Sequence, residues 1–172
     1  MTSSRALDVL FQYGDTRDVH SLAHILFLLS NIAFPVAGVS LICLAGRSQL
    51  LLGATILMAG VASHCFHASQ VELGPNRRKV KIALGFDYLA ALSVGLVVVR
   101  EAIEVIYIEG FLPWSVTILA ASAAAFYLVS SIRQRSLPYI VCHALWHIAA
   151  ASMALALGLH HSNAIGSLPA VS

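Results

Sequence analysis

The chain has 172 residues, 59% of them hydrophobic and only 10% charged, with a mean hydropathy of +0.84. Soluble domains carry about 25% charged residues, so this composition excludes an ordinary water-soluble fold and points to an integral membrane protein. The net charge of +2 comes from basic residues without interleaved aromatics, which leaves no nucleic-acid footprint, and no nucleic-acid partner is expected.

Residues 1–18 carry Asp8, Asp15 and Asp18 between short apolar pieces. They lack the basic start and compact apolar core of a cleavable signal, and read as a cytosolic or interfacial segment. A transmembrane helical domain is expected over 19–161, followed by a short tail, 162–172. Crossing a bilayer takes roughly 20 apolar residues, and five runs qualify: 19–45, 50–69, 81–106, 112–132 and 137–160. The expected fold is therefore all-α, a polytopic transmembrane helix bundle of about five spans. Pro35 lies inside the first run and predicts a kink; Pro138 falls in the first turn of the last, where its missing N–H is harmless. The three cysteines, Cys43, Cys65 and Cys142, lie inside the runs and read as free thiols packed as small hydrophobes.

Lys and Arg set the orientation, because cytoplasmic loops hold their excess. Arg5, Arg17, Arg77, Arg78, Lys79, Lys81, Arg133 and Arg135 fall on one side, Arg47 and Arg100 on the other. This asymmetry predicts a multi-pass protein with a cytosolic N-terminus.

Spacing and depth then single out a polar set. Ser63 and His67, His143 and His147, and His20 and His24 are i, i+4 pairs, each on one helix face. With alternating spans and a rise of about 1.5 Å per residue, Ser63, His67, Asp87, His143 and His147 fall in one slab within about 15 Å of the cytosolic face. Ionisable groups at such depth are costly and usually functional. Three histidines from two helices can give zinc three nitrogen ligands and leave the fourth position open for water, the nucleophile of zinc hydrolases. Asp87 would then act as general acid/base, and Ser63 would hydrogen-bond the water or a developing oxyanion. Cys65 and Cys142 lie off the ligand faces, and His64 is rotated about 100° from Ser63. His20 and His24, at the cytosolic mouth of the first span, read as headgroup contacts. His160 and His161 read as interfacial, and Glu101, Glu104 and Glu109 as a solvated rim.

SHCFH (63–67), the Asp of FDY (Asp87) and HALWH (143–147) together resemble the S-x3-H, D and H-x3-H signature of the CREST superfamily. That superfamily includes alkaline ceramidases, adiponectin and progestin receptors, GPI-lipid remodelling proteins and myomaker-like proteins. The resemblance implies Zn2+ held by His67, His143 and His147, with Asp87 and Ser63 beside the zinc-bound water. It also implies hydrolysis of a membrane lipid amide or ester, a ceramide-type amide first. Members typically have seven spans; loss of two between the third and the last keeps the parity of the motif helices but removes part of the substrate wall, which a homodimer can replace. Three other readings stay open. One is a non-enzymatic receptor or membrane-organising protein with a structural zinc. Another is a b-type haem protein, disfavoured because H-x3-H points both imidazoles to one side. The third, a metal transporter, is disfavoured because no comparable ligand set continues into the outer half.

Overall fold

The computed structural model describes residues 21–74, 77–132 and 137–167, with side chains from residue 25 onward. The expected segment 1–18, His20 and the His24 side chain lie outside the described residues. The described residues form six α-helices and no strand: α1 (Ser21–Ser30), α2 (Ala33–Ala45), a 3-10 turn (Gly46–Gln49), α3 (Leu50–Leu73), α4 (Arg78–Glu109), α5 (Trp114–Ile132) and α6 (Leu137–Gly166). Helix α6 runs past the expected domain end at 161.

The first expected run is two helices, and Pro35 explains the break. Its ring nitrogen has no proton for the Asn31 carbonyl and its ring crowds that carbonyl. The Asn31 carbonyl instead takes the N–H of Phe34 at 3.3 Å, and the regular ladder restarts at Val36, which bonds Ile32 at 3.0 Å. The kink therefore sits one turn before the proline.

Four stretches are long and apolar enough to cross a membrane: Ile25–Leu73, Arg78–Glu109, Trp114–Ile132 and Leu137–Gly166. The first spans 49 residues because it is a hairpin. Gly46, at φ 63°, opens its turn, and α3 returns against α2. A Cβ on Gly38 would lie 2.7 Å from the Gly53 carbonyl, and one on Gly60 2.7 Å from the Pro35 ring, so the two backbones touch. Small residues at such contacts let helices approach where apolar burial alone gives no preference over lipid.

Helix α6 is central and packs against α1, α2, α4 and α5. It is parallel to α2, since Phe34 meets His147 and Leu41 approaches Gly158. It is antiparallel to α5, where Tyr127 meets Trp146 and Val116 packs near Leu157. The main core joins Phe34, Ala37 and Leu41 of α2, Leu52 and Ile56 of α3, and Ala151 and Ala154 of α6. Outside, Leu89, Leu92, Leu96, Val99 and Ile103 of α4 are all more than half exposed, the inverse of the polar outer face of a helix in a soluble protein.

Candidate metal centre

His67 comes from α3, and His143 and His147 come from successive turns of α6. All three are buried, at 1%, 4% and 0% exposure. Their ring centroids are 4.7 to 5.3 Å apart, and one ligand nitrogen from each lies within 4.8 Å of the other two. Tetrahedral zinc with bonds of 2.0 to 2.1 Å wants nitrogens about 3.3 Å apart. Ring rotations of the order of 1 Å close the difference.

Hydrogen bonding fixes which nitrogen faces inward. The Ser30 hydroxyl donates its one proton to the Phe27 carbonyl at 2.6 Å, so at 2.9 Å it accepts from His147 Nδ1. His67 Nδ1 lies 3.1 Å from Gln70 Oε1, an acceptor, and so donates as well. Both rings are thereby assigned as Nδ1–H tautomers with a bare Nε2 lone pair. His67 Nε2, His147 Nε2 and both nitrogens of His143 are buried without a protein partner. An unpaired buried polar group costs on the order of 1 to 3 kcal/mol, and four in one place fit a cation that takes lone pairs. Second-neighbour bonds that lock tautomer and ring angle are the usual support of a histidine metal site. Sequence reasoning missed both supports. Gln70, at i+3 from His67, was there to be found; Ser30 required the fold.

Aromatic rings close the site. Phe27 packs against His67, His143 and His147 at 4.5, 5.6 and 6.2 Å, and Trp146 lies 4.9 Å from both His143 and His147. This packing leaves no slot for a porphyrin between the rings.

Asp87 is not in the ligand group. It stands beside Ser63, and the two line a cavity of about 150 Å³ that runs between α3, α4 and α6 past Ala91 and Val98. Asp87 also borders a second cavity, about 280 Å³, shared with His143, Trp146 and Tyr127. The five residues expected from the sequence therefore stand as a histidine triad and an adjoining acid–hydroxyl pair. His64 and Cys65 are exposed and Cys142 is part-buried, and all three cysteines are free thiols.

At the far end the sequence reading needs correction. Glu101 and His161 are not a solvated rim and an interfacial ring: they are 4% and 2% exposed. The turn at Gly46–Gln49 folds over the end of α6 and buries them. Gln49, wholly buried, accepts from His161 Nδ1 and donates to both Glu101 oxygens, each at 3.0 Å, once its amide is oriented by these neighbours. His161 Nε2 lies 2.8 Å from Glu104 Oε2, and Glu104 pairs with Arg100 at 2.8 Å. His160 and Glu109 form a half-buried pair at 2.7 Å. The half of the bundle away from the triad thus does hold a polar set, but its groups pair with one another, and among the described residues only the triad converges as metal ligands.

Compared against family models, curated proteins and solved structures, the chain matches none.

Proposed function

We propose that the chain is a multi-pass membrane protein with a zinc site at His67, His143 and His147, acting as a hydrolase of a lipid amide or ester. One observation carries this reading: three buried imidazoles from two helices present bare nitrogens to a common point, beside a cavity edged by an acid and a hydroxyl. This reading counts the α1–α3 hairpin as two of five crossings and puts the N-terminus and the triad toward the cytosol, in keeping with the excess of Lys and Arg in cytoplasmic loops.

Zinc held there supplies Lewis acidity and an activated water. The protein's own groups do the rest. Ser30 and Gln70 hold the ligand rings in register. Asp87, at the junction of the two cavities, takes the proton from the attacking water and returns it to the leaving group. Ser63, beside it, donates its one proton to the Asp87 carboxylate and holds it in place. The apolar 150 Å³ cavity suits a hydrocarbon segment of the substrate, in keeping with the ceramide-type amide that the CREST resemblance suggests.

The test is elemental analysis of the purified protein together with lipidomics of membranes containing wild type or His143→Ala. The expected result is about one zinc per chain and lipid turnover, both lost in the variant. Zinc without any lipid product would favour the receptor or organising reading, in which the metal pins α3 to α6. Full turnover without metal would sink the proposal.

A further inference from the structure

The triad uses the inward faces of α3 and α4's neighbour α6, while the outward faces of α3 and α4 form a groove of about 590 Å³. Leu57, Ala62 and Ala83 are its half-buried part, Val61, Cys65 and Phe86 are exposed along it, and Lys79 is the one charged residue in its lining. From Leu57 to Cys65 the groove follows α3 for eight residues, about 12 Å at the helical rise. That is close to one leaflet of hydrocarbon, about 15 Å. Lys79 lies at the end where the polar boundary falls, with Arg77, Arg78 and Lys81, all exposed. No acid lies in the first turn of α4, and none of the four basic side chains has a carboxylate partner among the described residues. Between residues 51 and 86 the chain holds a single acid, Glu72, against these four cations.

We propose that this groove binds an anionic glycerophospholipid of the same leaflet, with an acyl chain between α3 and α4 and the phosphate at Lys79 and Arg78. Charge complementarity selects the occupant: an apolar slot alone accepts any chain, whereas a basic cluster at its polar end favours a lipid with net negative charge. An open groove with alanines at its floor and bulky side chains along it suits a flexible hydrocarbon chain, which can follow its contour. The inference rests on the membrane reading, but not on zinc or hydrolysis.

Full-length protein purified in mild detergent is offered equal phosphatidylserine and phosphatidylcholine, and retained lipids are counted by native mass spectrometry. Wild type is expected to retain phosphatidylserine preferentially. Lys79→Ala should lower that retention about fivefold and the Lys79→Ala, Arg78→Ala pair about twenty-five-fold, one surface cation each, while Arg47→Ala at the far end changes nothing. Ala62→Trp fills the slot and should lower retention of both lipids; Ala83→Leu serves if Ala62→Trp fails to fold. Equal retention of the two lipids, equal effects of Lys79→Ala and Arg47→Ala, or a second copy of the chain occupying the groove would each overturn the proposal. Zinc content measured on the same samples should be unchanged in Lys79→Ala, so that a failed metal reading and a failed lipid site are told apart.

Discussion

Two histidine centres lie in the same bundle, one at each end, and they differ in what their nitrogens face. At one end, His67, His143 and His147 turn bare nitrogens toward one another. At the other, His161 faces the Gln49 amide oxygen and the carboxylates of Glu101 and Glu104. Both are buried histidines on long apolar helices, so burial and residue type alone do not separate a metal site from a structural latch. The separation lies in what the nitrogens face: at His161 each nitrogen lies against an oxygen of the protein, whereas at the triad the bare nitrogens face one another.

The largest expected effect breaks the comparison directly. His143→Ala should remove bound zinc altogether, whereas His161→Ala should leave zinc content at the wild-type level; loss of zinc in both, read by elemental analysis, would mean the two centres are not independent. Next comes stability. His161→Ala leaves the buried Gln49 amide oxygen without its donor and should cost about 1 to 3 kcal/mol, seen as a fall in thermal midpoint in detergent that added zinc does not reverse. A third effect concerns the supports of the triad. Ser30→Ala and Gln70→Ala should each weaken zinc affinity by roughly 10 to 100-fold, measured by competition with a chelator, and an unchanged affinity would remove the tautomer argument. The smallest effect lies on the exposed arm of the His161 centre. Arg100→Ala should change stability by no more than about 0.5 kcal/mol, because the Arg100 side chain is 61% exposed.

The triad was legible because i, i+4 spacing fixes a helix face and alternating spans fix depth, and both are properties of sequence. The helices themselves were legible for a similar reason, a crossing length of about 20 apolar residues. Ser30 was not: serine in an apolar helix is common, and its bond to His147 joins residues 117 positions apart. Glu101 and His161 were misplaced because their sequence positions, near the ends of their runs, suggested water. The turn holding Gln49 covers them, and no pattern local to either residue shows that. Pro35 announced a kink, but its place followed from the carbonyl four residues earlier.

Phe27 stands on α1, a helix of ten residues joined to the rest through the break at Asn31, and its ring touches all three ligand rings. On that side an ion at the triad has no open path: exchange through α1 waits for it to part from α6, a local opening with its own free energy, and the other approach is the cavity that His143 shares with Asp87. The α1 side then acts as a wall whose opening rate, and not its shape alone, decides how fast the site trades its ion in that direction.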